Sequence, residues 1–354
     1  MQSDNVSQLF LDLARIDSPS GFESQFADYL NQRLIALGFR TRIDSAGNLF
    51  GFNDKPGQPV LINAHMDTVE PGRNIQPRIV NGRIVSDGTT IVGADNKAAL
   101  AAILSALETA GPDSLRPLEI LFTVREETDS GVKQFDLSQL NSRTGLTADR
   151  ASTIGSIVLA SPWILSLQLK ITGKSAHSSL PERGINTVNV AAAAISKTTW
   201  GRVDPDTTTN LGLVSGGTAV NCIPGETTLI GEIRSFSREK LYEVDRHIKA
   251  VFSAEARANK AKLTYTSSLY CPGYKYEKST PAVKEIAALF TGMGIKPRYE
   301  IAFGASDVNF VSSKNIHLVN IADGCKNPHT VNESIGVQEL ELLKTVFLRY
   351  ITSA

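Results

Sequence analysis

The sequence predicts an α/β protein, a sheet flanked by helices, interrupted by a smaller α+β domain. Short β-rich runs alternate with helical periodicity through residues 1–161 and again from Pro281 onward, the pattern of a sheet covered by helices. The stretch between them spells β-α-β-β-α-β, the ferredoxin-like order. Size agrees, because 354 residues, at roughly 150 per domain, suit two cores better than one.

In chain order, Val6, Leu9, Phe10, Leu13 and Ile16 recur at helical spacing. Phe22, Phe26, Tyr29, Leu30 and Leu34 do the same after Ser20-x-x-Glu23, which reads as a capping box, and Gly38 closes that helix. Strands are predicted at 40–44, 60–63 and 118–124, with a short run at 145–148. An Ala- and Leu-rich helix over 97–110 is stopped by Gly111-Pro112. The ferredoxin-like stretch comprises strand 164–172, helix 186–199, strands 209–214 and 227–235, helix 238–259 and strand 261–270. Segment 271–280 is the return hinge, after which helix 282–293, strands 298–301 and 316–321, and helix 337–351 resume the first pattern.

Lys and Arg number 36 against 36 Asp and Glu, so the total charge gives no basic footprint for nucleic acid or an anionic membrane. With 42% hydrophobic and 20% charged residues, disordered, collagen-like and disulfide-scaffold classes are excluded. The N-terminus carries Asp4 and neither a cationic nor an apolar leader segment, which is not the form of a signal peptide. No apolar run approaches the roughly 20 residues of a membrane span. Cys222, Cys271 and Cys325 are scattered, odd in number and without a C-x-x-C pair, as in a reducing compartment. The expectation is a cytoplasmic chain whose partner is a small molecule or another protein.

Chemistry gathers at the predicted strand ends. Strand 60–63 runs into Ala64-His65-Met66-Asp67, and residues two apart in extended chain share a side, at the sheet edge where open α/β folds bind ligands. Asp95 stands just before the Ala-rich helix, at its positive end. Strand 118–124 delivers the adjacent carboxylates Glu126 and Glu127, Asp149 follows the run 145–148, and His329 follows strand 316–321. Each alone reads more simply as a capped turn or a solvated charge. Together, His65, His329, Asp95, Glu127 and Asp149 make an N/O donor set for two borderline divalent ions of the zinc type, with no thiolate to close a structural site. Two dications, three carboxylates and one hydroxide sum to zero charge, as a dry cluster requires.

The segments NAHMDTV (63–69), SDGTTIVGADNKAALAAIL (86–104), TVREE (123–127), GLTAD (145–149), GKSAHSS (173–179), GEIRS (231–235) and NPHTVNE (327–333) resemble the dinuclear zinc metallopeptidases that include peptidase T, carboxypeptidase G, aminoacylase and succinyl-diaminopimelate desuccinylase. The resemblance spans nearly the whole chain and is strongest to peptidase T. It implies a zinc-exopeptidase fold with an inserted lid and dimerisation domain, a homodimer, and two metal ions, zinc before cobalt or manganese. Asp95 would bridge the ions, His65 and Asp149 completing one site, Glu127 and His329 the other. Asp67 would orient His65, and Glu126 would be the general base. A cis peptide is implied between Asp95 and Asn96. His177 would donate to an oxyanion across the dimer, and Arg234 would grip a substrate carboxylate, with Asn221 in the same pocket. His247 and His317 match nothing. Two departures stand out: Asn96 where the family often has Asp, and three residues rather than four between Glu127 and Gly131.

For five ligands on both sides of the ferredoxin-like stretch to meet, each at about 2.0–2.2 Å from an ion, residues 162–274 must be an insertion in a catalytic domain built from 1–161 and 275–354. The expected activity is release of the N-terminal residue from short peptides such as tripeptides. The alternatives are a carboxypeptidase or N-acyl-amino-acid deacylase on the same site, a single-metal deamidase-type hydrolase, and a metal-free binding or scaffold protein.

Overall fold

The computed structural model describes residues 6–352; Asp4, on which the reading of the N-terminus drew, lies outside them. The chain divides into two compact units, one of 1–159, 276–302 and 306–354, the other of 160–275 with 303–305.

In the first unit four parallel strands form the middle of a mixed sheet, in the order Leu118–Thr123, Val60–His65, Thr144–Ala148, His317–Ile321. Leu49–Phe52 and Arg40–Ile43 extend one side antiparallel, and Ser156–Ser161 flanks the other. Leu118–Thr123 and Val60–His65 are buried along their whole length, as strands covered on both faces must be. Helix Ala94–Ala110 packs against helices Val6–Ala14 and Val337–Thr352 and strand Val60–His65. Its alanines let these elements approach closely, and every residue from Asn96 to Leu107 is buried. Register sets the site: His65 pairs with Thr123, and Asn63 pairs with Thr147. The residues that follow these strands therefore emerge side by side at one sheet edge.

The second unit is an antiparallel sheet in the order Gly201–Asp204, Thr207–Gly216, Glu226–Ser235, Trp163–Thr172, Lys262–Cys271. Leu165, Leu167, Leu169 and Ile171 alternate inward and pack with Leu229, Ile233, Val190, Ile248 and Phe252. Helix Thr187–Ser196 is capped by the Asn186 side chain and helix Arg238–Ala258 by Ser237, each supplying an oxygen that the first turn lacks. Gly201–Asp204 is an addition to the predicted elements.

Further elements were not foreseen, strands Ser156–Ser161 and Ser334–Gly336 among them. Leu49–Phe52 is interrupted in pattern by Gly51, the hairpin Arg78–Val80/Arg83–Val85 has strands of three residues, and helix Asp307–Ser312 has six, too short for periodicity to show. Phe22, expected on the buried face of the second helix, is 64% exposed, and that helix begins only at Ser24. Among the described residues, no helix is long and apolar enough to cross a membrane.

Candidate metal centre

His65 ends its strand 2% exposed. Its Nε2 lies 3.1 Å from Asp95 Oδ1 and 3.7 Å from Asp149 Oδ1, and its Nδ1 lies 3.0 Å from the Asp67 carbonyl and 3.3 Å from Asp67 Oδ1. His329 Nε2 lies 2.8 Å from Glu127 Oε1 and 3.5 Å from Asp95 Oδ2. The two oxygens of Asp95 thus face two different imidazoles. Donor atoms of His65, Asp95 and Asp149 lie within 4.8 Å of one another, as do those of Asp95, Glu127 and His329, and those of His65, Glu126 and Glu127. The Asp95–Asn96 peptide is cis. Local dihedrals explain the convergence: Gly93 is left-handed, and Asp95 and Asn96 are non-helical. The regular helix therefore begins after them, and the Asp95 carboxylate faces the histidines instead of capping. His329 and Asn327 are also left-handed, an uncommon conformation for residues with side chains; the Thr330 hydroxyl closes this turn on the Asn327 carbonyl.

Negative charge exceeds what the histidines can balance. Burial pushes the Glu126 carboxyl well above its usual range, reinforced by Asp149, Asp307 and Glu127 and opposed by His65. Asp149 and Asp307 are likewise pushed up, chiefly by burial. Burial also disfavours charge on Asp95, but the hydrogen bonds and charges of His329 and His65 outweigh it and hold that carboxyl low. Asp95 and Glu127 push the His329 imidazole up to about 10. Burial opposes charge on His65, yet its hydrogen bonds to Asp67 and Asp95, with nearby Asp149, raise it well above the ordinary value. Buried carboxylates that raise one another around two imidazoles are the arrangement a cation relieves, and carboxylate oxygens with imidazole nitrogens suit borderline divalent ions.

Residues 161–260 match the peptidase dimerisation domain of the M20 group. The chain is 32% identical to the Bacillus subtilis protein YqjE, covering 94% of this chain and 93% of that one. A tripeptidase structure from Staphylococcus aureus superposes with TM-score 0.94 at 32% identity, covering 99% of this chain and 98% of that one. The aminopeptidase PepT from Bacillus cereus gives 0.91 at 31% identity with the same coverage. The chain belongs to the M20 peptidase family. It is a metal-dependent hydrolase, a metallopeptidase whose fold is that of the peptidase T structures.

Several side chains that support this candidate site were not singled out in the sequence. The capping box does not form. Instead the Ser20 hydroxyl donates to Asp67 Oδ2 at 2.6 Å, and the buried Glu23 carboxylate accepts the Gly21 and Arg125 N–H groups, both at 2.9 Å. Asp67 Oδ1 accepts the N–H of Glu126 at 2.9 Å and its Oδ2 that of Glu127 at 3.2 Å. Arg125, in left-handed backbone, is thus held from one side by Glu23 and the two glutamates after it by Asp67. Gly131 closes the loop by donating to the Val124 carbonyl at 2.9 Å, and a Cβ there would meet that oxygen at 2.3 Å. Asn320 brackets Asp149 through both its N–H and its carbonyl, each at 3.0 Å. Asn96 donates from its side-chain amide to the Ala148 carbonyl at 2.8 Å, which an aspartate there could do only when protonated. Asp307 accepts from Asn63 at 3.2 Å and from the Thr123 hydroxyl, joining two of the strands that end in site residues.

The remaining predicted residues lie in the second unit. His177 pairs with Cys222 in a short antiparallel bridge, and the Asn221 carbonyl accepts the Ser178 N–H at 3.0 Å, so His177 and Asn221 are neighbours. The Ser179 N–H donates to His177 Nδ1 at 3.2 Å. A neutral His177 therefore carries its proton on Nε2, on an exposed ring. Arg234 is not free: its Nε and Nη2 pair with both oxygens of Glu232 at 2.7 and 3.0 Å, and Nη1 donates to the Phe303 carbonyl at 3.0 Å.

Proposed function

We propose that this M20 peptidase releases the N-terminal residue of short peptides, tripeptides first, using two divalent ions, zinc above cobalt or manganese. The observation that carries the metal part is the pair of donor groups that share Asp95, one oxygen toward each histidine. His65 and Asp149 would hold one ion, Glu127 and His329 the other. The preference for tripeptides rests on likeness to the tripeptidase and PepT structures.

When bound, such ions polarise the scissile carbonyl and acidify a nucleophilic water. The chain's own groups do the rest. Glu126 takes a proton at its carboxylate and returns it to the leaving amine, a task suited to a carboxyl whose surroundings raise its basicity. Asp67 fixes the ring of His65 through Nδ1 and the position of Glu126 through its backbone. His177 offers Nε2–H to the developing oxyanion of a partner subunit's substrate, in a homodimer built on the segment that matches the dimerisation domain. Arg234 receives the peptide carboxylate by exchange with Glu232. That ion pair is about one-third exposed, so water can take the place of Arg234 on the Glu232 carboxylate, and the incoming carboxylate gives the guanidinium the same two-pronged partner. Cys222, Cys271 and Cys325 are not joined in disulfides, which supports a reducing, cytoplasmic setting.

The test is turnover of di- and tripeptides, end-blocked versions and N-acyl amino acids by protein loaded with zinc, cobalt or manganese. Free tripeptides should be cut fastest, losing the N-terminal residue. Preference for N-acyl amino acids would replace the aminopeptidase by a deacylase, C-terminal release by a carboxypeptidase, and silence with every metal by a binding protein.

A further inference from the structure

Glu333 is 1% exposed and belongs to none of the donor groups. Its Oε2 accepts the N–H groups of Val92 at 2.8 Å and Gly93 at 2.7 Å, and its Oε1 accepts that of Asp95 at 3.0 Å. The Cys325 thiol donates to the same Oε1 at 3.6 Å. These N–H groups precede the regular part of the helix, where backbone donors lack intrahelical acceptors. The carboxylate itself grows from the turn that carries His329: the Glu333 N–H donates to the Thr330 carbonyl at 3.0 Å, and Lys326 and Ser334 exchange both backbone hydrogen bonds around that turn. One side chain thus joins the turn bearing His329 to the turn bearing Asp95, 238 residues away in sequence. Asp95 and His329 are two of the three members of one donor group.

We propose that Glu333 is a positioning residue that sets the separation of Asp95 from His329 and thereby the affinity of the ion these two hold with Glu127. The inference rests on the metal reading above. A carboxylate is required because both oxygens accept from donors; an amide of the same shape would set its own N–H groups against a backbone N–H or the thiol. Groups behind a ligand act on metal affinity through such geometry.

The test compares full-length wild type, Glu333→Gln and Asp245→Asn. Asp245 is an equivalent control in the second unit, a buried carboxylate that accepts from Tyr265 at 2.7 Å and Ser267 at 3.1 Å. Each protein is stripped with a chelator and titrated with zinc alone against a chromophoric competitor, with thermal unfolding followed on the same samples. Wild type should bind two ions; Glu333→Gln should hold one of them about 10- to 100-fold more weakly. Asp245→Asn should melt earlier with zinc affinity unchanged. If Glu333→Gln does not fold, Glu333→Asp, which keeps the charge and retracts it by a methylene, should show the same selective loss. Wild-type affinity at both sites in the folded variant, or an equal loss in Asp245→Asn, would overturn the role. Failure of wild type to bind zinc at all would overturn the metal centre and this role with it.

Discussion

Glu126→Gln separates the chemistry from the scaffold. The fold holds this residue by its backbone: Asp67 accepts the N–H groups of Glu126 and Glu127, and Glu23 accepts that of Arg125. An isosteric amide leaves those bonds in place. Burial, reinforced by Asp149, Asp307 and Glu127, already disfavours the charged form of this carboxyl, so a neutral amide should leave the fold intact. What is lost is proton transfer, which typically contributes about 10²- to 10⁴-fold, or about 3–5 kcal/mol of barrier at ~1.4 kcal/mol per decade. The assay is kcat on a free tripeptide at saturating concentration, with bound metal counted in the same preparation. The expected result is a loss of at least about a hundredfold with metal content equal to wild type. A kcat within tenfold of wild type would refute the base assignment. A drop in metal content matching that of His329→Ala would instead make Glu126 a ligand, as its place beside His65 and Glu127 permits.

Two predictions concern the second unit. A mixture of His177→Ala and Glu126→Gln chains, reassociated as heterodimers, should exceed both parents in activity, because one of its two composite sites keeps both groups; equal inactivity would return His177 to a surface histidine. Amidating the substrate's C-terminus and replacing Arg234 by Ala should each raise KM, and the combination should do little more than either alone; additive effects, or a fully active Arg234→Ala enzyme on free peptides, would remove Arg234 from substrate binding.

The candidate site was legible in the sequence where polar side chains sit directly after a buried strand. His65, Glu126, Glu127 and Asp149 each follow such a run, and parallel pairing brings their ends together. The groups that support them were hidden for definable reasons. Ser20-x-x-Glu23 has the spacing of a capping box, and only the fold shows its oxygens turned toward Asp67 and Arg125. Asn320 lies within a strand whose neighbours read as core, and Asp307 starts a helix too short for periodicity. Glu333 was passed over beside His329 because its partners are backbone N–H groups far away in sequence. The pairing of Arg234 with Glu232 had a sequence signal, since residues two apart on a strand share a face, but a cation suited to a carboxylate drew attention away from the one next to it.

Metal stoichiometry tests the central claim most directly. Elemental analysis of the purified chain after zinc loading and removal of free metal should give two ions per chain, falling to about one in His329→Ala and in Asp149→Ala, each of which lies in only one of the two donor groups that share Asp95. One ion or none in the wild-type chain, or two retained in either variant, would contradict the shared-aspartate centre.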